Sequence, residues 1–381
     1  MIFETPEVQP QEQEVIERIE GVQEALRFQL HEPRIWTGLL RRVHFAKAIR
    51  ASNSIEGYNV TMDDAIAVAE GEDPVDADEP SSRAVAGYRR AMTYVLRLAN
   101  DPDFLYTPQL VRSLHFMMIE HFLSRDPGAY RRGYIYVRDS GSGEIVYEGP
   151  DAERVPALVE ELMDGLNETN ELPVMTRAAM AHLNLVLIHP FRDGNGRMAR
   201  CLQTLALARE GILVPEFCSI EEYLGKNTPD YYRVLAQVGK GYWQPDNDAR
   251  PWVRFCLTAH YRQAKTILQR LKESDRLWGL LTEEAKRRSL PERYLFALFD
   301  ASAGYRVRRN TYQPVAEISD NLATRDLAAL VDARLLRPVG ERRGRYYLAS
   351  GELKAIRNKA LGAKVPVEDP FETETQLLSE E

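Results

Sequence analysis

Along most of this 381-residue chain the apolar positions recur at helical spacing. From Gln9 to Leu30, Val15, Ile19, Val22 and Leu26 share one side of a charged stretch, which predicts an amphipathic helix. A second follows Pro33, carrying Ile35, Leu39, Leu40, Val43 and Ala46 to about Ala51, and its end runs into Ser52-Asn53-Ser54-Ile55-Glu56-Gly57. Gly57 is a natural helix stop. Thr61 caps a short helix, and Gly71 to Ser82 is an acidic, proline-containing loop. Arg83 to Leu98 reads as a helix with Tyr88, Met92, Val95 and Leu96 on one side. The helix opened by Thr107-Pro108 turns Leu110, Leu114, Met117, Met118 and Phe122 inward; its His115 and His121 are six apart, off one face, and read as structural. Further helices begin at Val155 and run from Thr176 to Ile188, with His182 in the core, and from Met198 to Leu207. A break at Gly211 to Pro215 precedes a short helix capped by Ser219 and ending at Leu224. Asp248 to about Lys286 is helical, with a break near Glu273.

Strand patterns are few. Tyr134 to Val137 and Ile145 to Tyr147 flank Gly141-Ser142-Gly143, as a hairpin would. Near the C-terminus, helices at Pro291 to Ala303, Val315 to Ile318 and Asn321 to Ala333 precede two strands. These are Leu336 to Val339 and Arg345 to Leu348, joined through Arg342-Arg343-Gly344. Three helices and a basic hairpin form the layout of a winged helix-turn-helix. The acidic stretch from Val365 to the end reads as a disordered tail.

Length suggests two or more domains, and 44% hydrophobic with 28% charged residues is ordinary for a globular protein. No apolar run approaches the roughly 20 residues of a membrane span, and no secretory signal is visible at the N-terminus. Cys201, Cys218 and Cys256 form no CxxC pair and read as reduced thiols in a cytoplasm. A net charge of −8 argues against wholesale nucleic-acid coating. Gly304 to Lys359 nevertheless holds twelve Lys and Arg against six Asp and Glu, a local +6. DNA backbone contact needs such local charge. Many winged helices mediate protein contacts only, so both partners stay open. HExxH spacing and a Gly-Lys-Ser/Thr phosphate loop are both missing from the sequence.

The chemistry concentrates in His189-Pro190-Phe191-Arg192-Asp193-Gly194-Asn195-Gly196-Arg197-Met198-Ala199-Arg200. His189 sits just past one helix, and Gly194-Asn195-Gly196 form a tight turn into the next. Unpaired N–H groups at a helix start make an anion site. Arg197 and Arg200, three apart, share a helix face above it, and arginine suits phosphate oxygens. Asp193 suits Mg²⁺, which combines one or two carboxylates with substrate phosphates and water. His189 suits a general base. These parts together describe phosphoryl-type transfer.

The string resembles the core motif of the Fic family, His-x-Phe-x-(Asp/Glu)-Gly-Asn-Gly-Arg-x-x-Arg, at every specified position. The resemblance implies transfer of AMP from ATP onto a Ser, Thr or Tyr hydroxyl of a protein. His189 would deprotonate that hydroxyl and Asp193 would hold Mg²⁺. Phe191, Gly194, Asn195, Gly196, Arg197 and Arg200 would form the phosphate and nucleotide site, Arg200 reaching the γ-phosphate. Ser52 to Gly57 resembles the family's inhibitory motif (Ser/Thr)-x-x-x-Glu-(Gly/Asn), on Ser52, Glu56 and Gly57. That implies Glu56 pairing with Arg200, as a carboxylate and a guanidinium can, even bidentately.

Pro127-Gly128-Ala129-Tyr130-Arg131 resembles the stretch before the family's flap, which makes Ile145, Val146 and Tyr147 the target-docking strand. Asn227, Tyr231 and Tyr232 resemble its adenine-side residues, with helix core the competing role for the tyrosines.

The expected fold is mainly α: a Fic-type helical core with a β-hairpin flap, plus a C-terminal winged helix-turn-helix domain. The divisions are 1–100 with the inhibitory motif, 101–245 as the core, 246–290 connecting, 291–360 winged helix and 361–381 acidic tail. Expected partners are ATP with Mg²⁺ and a protein target, itself included; a homodimer and DNA contact through the C-terminal domain are further expectations. Removal of AMP, another nucleotide donor, or a DNA-binding regulator with a sensory core are the alternatives.

Overall fold

The computed structural model describes residues 1–31, 34, 36–74, 76–138, 143–168, 171–211, 217, 219–341, 344–363 and 366–372. In chain order the helices α1 (Pro10–His31), α2 (Thr37–Ile55), α3 (Met62–Glu70), α4 (Glu79–Leu98) and α5 (Pro108–Ile119) come first. A hairpin of β1 (Tyr136–Arg138) and β2 (Ile145–Glu148) follows, then α6 (Val155–Asn167), α7 (Val174–Ile188) and α8 (Asn195–Arg209). Next are α9 (Glu221–Lys226), α10 (Thr228–Gly239) and the 38-residue α11 (Arg250–Arg287). A C-terminal unit contains α12 (Tyr294–Ala303), α13 (Arg309–Val315), α14 (Asp320–Asp332), β3 (Leu336–Val339), β4 (Tyr346–Ala349) and α15 (Gly351–Ala360).

The α7–α8 pair is the central wall of the molecule. One side of α7 (Ala178, Ala179, Leu183, Leu187) joins a core shared with α1, α11 and the C-terminal unit. The other side (Ala181, Leu185, Ile188) joins a core with α4, α5 and α6. α8 is buried from Met198 to Ala208, as expected of a helix packed on all sides. The Trp252 indole N–H donates to Ala179 O at 2.7 Å and fixes α11 across α7. The turn between α7 and α8 is therefore held between two rigid packings.

Both hairpins are antiparallel. Tyr136 faces Glu148, Val137 faces Tyr147 and Arg138 faces Ile145, with an irregularity after Val137. In the second, Leu336 faces Ala349 and Val339 faces Tyr346. No described helix is long and apolar enough to cross a membrane.

Several elements differ from the pattern-based expectation, each for a local reason. α2 continues past Ala51 to Ile55, because the Asn53 side-chain amide donates to Ile49 O and the Ser54 hydroxyl to Ala51 O. Polar side chains that bond back to the preceding turn stay in the helix. α4 starts at Glu79 rather than Arg83, since the Asp78 carboxylate caps the Ser81 N–H and a proline occupies the first turn. α11 has no break at Glu273, because buried Leu271, Leu277 and Leu281 carry the apolar stripe through it. The short helix expected at Val315 to Ile318 lies earlier, at Arg309–Val315. α15 went unforeseen, although Ser350 caps it and Leu353 and Ala360 are buried.

The expected disordered tail is packed over 366–372. Arg18 donates to Pro370 O at 2.9 Å, Glu368 meets the Tyr261 hydroxyl, and Arg254 covers the Phe371 ring. Pro33, Ile35, the Gly141-Ser142 turn, the break at 212–215, Cys218, the Arg342-Arg343 turn and 373–381 lie outside the described residues.

Candidate active site

His189 ends α7 in the left-handed region, at φ 51°, and Gly194 opens α8 at φ 77°. A non-glycine residue held at positive φ needs support from its surroundings. Arg131, almost fully buried, supplies it. Its Nε donates to His189 O at 2.9 Å, its Nη1 to Gly133 O at 2.8 Å, and its Nη2 to Pro150 O and to Ile188 O. Its own N–H donates to Pro190 O at 2.9 Å. A guanidinium thus satisfies the carbonyls left open at the C-terminal end of α7.

Inside the turn, Asn195 clasps Phe191. The Asn195 amide donates to Phe191 O at 2.9 Å, and its Oδ1 accepts the Phe191 N–H at 2.9 Å. The Phe191 ring stacks on His115 at 3.7 Å between centroids. His115 Nε2 donates to Asp193 O at 2.9 Å, and its Nδ1 accepts the Gly128 N–H at 2.8 Å. Burial pushes the His115 pKa down to about 4, in keeping with this neutral tautomer. Two expectations are corrected here. Phe191 and Asn195, expected in the phosphate and nucleotide site, are buried side chains that brace the turn. The turn is also shorter than expected, because α8 begins at Asn195 and makes Asn195 and Gly196 part of its first turn.

His189 is partly buried. Its Nδ1 is 3.1 Å from Val186 O. A carbonyl only accepts, so Nδ1 carries the proton and Nε2 keeps a free lone pair. Burial, the largest influence, pushes the pKa down to about 4, so the imidazole is neutral at pH 7.

On the other side of the turn stands Arg200, its side chain fully buried. Nε donates to Ser52 Oγ at 2.7 Å, and Nη2 donates to Ser52 O at 2.9 Å and to Glu56 Oε1 at 2.7 Å. The pair thus meets through one nitrogen and one oxygen rather than bidentately. Ser52 takes most of the guanidinium edge, and Glu56 engages through one oxygen. Ser52 and Glu56 are four apart at the end of α2, hence on one face. Gly57, at φ 85°, ends the helix just beyond. A methyl group on Gly196 would overlap Glu56 Oε1 and come within 3.1 Å of Arg200 Nη1. Glu56 thus rests on the first turn of α8, where an anion is favoured. Arg200 Nη1 is buried without a hydrogen-bond partner.

Arg197 is also buried, with its guanidinium 5.1 Å from the Tyr58 ring centroid and Nη2 3.6 Å from Asp193 Oδ1. Asp193 is 29% exposed and accepts the Gly194 N–H at 2.6 Å. No cluster of three or more metal-ligating side chains exists among the described residues. A partly exposed carboxylate of this kind fits a Mg²⁺ ion whose remaining ligands are phosphates and water.

The outer residues divide. Ile145 and Val146 are 49% and 41% exposed, as a docking strand requires, but Tyr147 is buried and donates to Leu187 O at 2.7 Å. Its role is to anchor the flap to α7. Of the adenine-side residues, Tyr231 is sealed in the core, its hydroxyl 3.0 Å from His182 Nε2. Asn227 donates to Tyr223 O at the α9–α10 junction. Tyr232 keeps an exposed face and donates to Ile55 O at 3.3 Å. Arg131 and Tyr58 carry no role in the sequence reading, whereas His115, expected to be structural, is structural here. The Pro127–Arg131 stretch was the available signal for the first.

Residues 105–207 match the Fic/DOC family. Among curated relatives, the protein adenylyltransferase Fic of Nematostella vectensis is 26% identical over 260 residues, 66% of this chain and 55% of the relative. That of Aedes aegypti is 29% identical over 252 residues, 65% and 46% respectively. The chain spans about half the length of the curated relatives it matches. A Fic family protein from Desulfovibrio desulfuricans shares the fold with a TM-score of 0.57 at 24% identity, covering 91% of this chain and 98% of that one. Residues 134–508 of Fic-1 from C. elegans give a TM-score of 0.55 at 21% identity, over 68% and 74%. With the motif turn, the flap and the α5–α8 core all inside or beside the matched segment, the chain carries a Fic-type domain over residues 105–207.

Proposed function

We propose that the chain is a protein adenylyltransferase that moves AMP from ATP to a Ser, Thr or Tyr hydroxyl and is held in check by Glu56. The observation that carries this reading is the neutral His189, its Nε2 lone pair unspent, beside an anion seat built by the first turn of α8 and Arg200. His189 takes the hydroxyl proton as that oxygen attacks the α-phosphorus. The new O–P bond forms as the α–β bridging P–O bond breaks, and pyrophosphate leaves with the electron pair. Arg200 and the α8 amides meet the negative charge of the β- and γ-phosphates. Mg²⁺ at Asp193 would add charge neutralisation when bound. Glu56 opposes this by lying in the same seat and holding Arg200. Its displacement returns both to the nucleotide. The relatives named above as adenylyltransferases support the class of reaction.

The test is intact-protein mass after incubation with ATP and Mg²⁺. Glu56→Gly is expected to gain the mass of AMP, and Glu56→Gly with His189→Ala is expected not to. Modification of the double variant removes His189 from its role. A second reading rests on the single-oxygen contact of Glu56, which leaves Oε2 to orient a water for removal of AMP. Release of AMP from a modified protein by the wild type would favour it.

The proposal extends to a winged helix-turn-helix over 291–360. Its α14 exposes Asn321, Thr324 and Arg325, and its hairpin exposes Arg337 and Arg345. That basic face suits DNA, and a gel shift that weakens with salt would support it. Self-modification, a homodimer and a cytoplasmic location, the last in keeping with the buried free thiols of Cys201 and Cys256, complete the proposal.

A further inference from the structure

Glu56 stands on the short connection between α2 and α3, and both helices are gripped by the C-terminal unit. Arg42 of α2 is the centre of the first grip. Its Nη2 reaches both carboxylate oxygens of Asp300 on α12, at 2.7 and 2.6 Å, while its Nη1 donates to Glu70 of α3 at 2.5 Å. All three side chains are less than a fifth exposed. The second grip is on α3 and the loop after it. The Arg306 N–H donates to Asp63 Oδ1 at 2.6 Å, its Nε is 3.3 Å from Asp63 Oδ2, and its Nη1 pairs with Asp76. Asn310 Nδ2 donates to Glu72 Oε1 at 2.6 Å. The Arg306 guanidinium also lies 4.7 Å from the ring centroid of Tyr346 on β4, so this grip continues into the C-terminal hairpin.

The two grips bracket the connection that carries Glu56. Against them, the Glu56 carboxylate makes a single bond to Arg200. A rigid element held at both ends moves with whatever holds it. We infer that the contact between α2–α3 and the C-terminal unit sets how firmly Glu56 reaches Arg200, with Arg42, Arg306 and Asn310 as its positioning residues. The C-terminal unit is thus the control element of the site. A shift that opens its contact with α3 withdraws the carboxylate from the first turn of α8. The inference rests on the restrained-transferase reading above.

The test uses the full chain with Asn310→Glu, which sets two carboxylates against each other at an exposed position, and with Arg306→Ala. Each is made with Glu56 intact and with Glu56→Gly. Self-modification is measured by mass, and amide hydrogen exchange is followed over residues 53–60. Asn310→Glu is expected to raise modification at least about threefold with Glu56 intact (about 0.6 kcal/mol). It should leave the Glu56→Gly rate unchanged and speed exchange at 56–60. Equal effects in both backgrounds, or unchanged exchange and rate, overturn the inference. If Glu56→Gly transfers nothing, the transferase reading fails by itself, and the exchange data alone decide whether the grip holds the segment.

Discussion

The turn from His189 to Arg200 and the segment from Ser52 to Gly57 meet at one guanidinium but are built in opposite ways. In the turn, polar side chains are spent on the backbone: Asn195 on Phe191, His115 on Asp193 and Gly128, Arg131 on four carbonyls. Little is left to rearrange. In the segment from Ser52 to Gly57 the Glu56 carboxylate is 24% exposed and makes one side-chain bond. On the proposed reading, the reactive geometry is preorganised and the restraint on it is removable. A site that had to refold on activation would need the reverse arrangement.

The comparison can be broken from either side. On the turn side, His189→Ala in a Glu56→Gly background is expected to lower transfer by roughly 10²–10⁴-fold, the usual worth of a positioned base. A loss of less than tenfold would assign the base elsewhere. Asn195→Ala strips partners from a buried N–H and a buried carbonyl. It should cost about 2–4 kcal/mol of stability, read in a denaturant melt, and disturb the site with it. An unchanged melt would mean the clasp is not what holds the turn. On the restraint side, Ser52→Ala removes the acceptor of Arg200 Nε but leaves Ser52 O and Glu56 in place. A partial release is expected, severalfold below that of Glu56→Gly in the same mass assay, and full release would make Ser52 rather than Glu56 the lock.

Acid gives the broadest and mildest test. Burial holds His44 and His182 down to about 3 and His115, His189 and His260 down to about 4. The unfolded chain binds protons on these rings near pH 6.5, while the folded chain does not. Their contribution is complete above that pH and is lost as pH falls toward 4, so the melting temperature should decline across that window. If His189 is the base, the acid limb of transfer should lie near pH 4, below the ordinary histidine range.

Much of the site was legible because its residues are chemically unusual where they stand. A histidine after an apolar helix and a Gly-Asn-Gly opening the next announce a turn with open amides. Glu56 and the flap were legible only through family resemblance. Direction was not legible. Phe191, Asn195, Tyr147 and Tyr231 all looked like ligand-facing groups, and all four turn inward. Which way a side chain points depends on neighbours far away in sequence: His115 for Phe191, Leu187 for Tyr147, His182 for Tyr231. The same reason hid Arg131, whose task exists only once α7 has ended beside it. Among the elements, α15 and the packed 366–372 escaped because their apolar residues are few and their partners lie on distant helices, α11 and α12 for the one and α1 and α11 for the other.

The most direct test compares AMP incorporation by the wild type and by Glu56→Gly, at equal protein concentration with ATP and Mg²⁺, by intact mass over time. Rapid single additions to the variant against a nearly silent wild type are predicted. Equal rates in the two proteins, with His189 intact, would contradict the claim that Glu56 restrains a site already built for transfer.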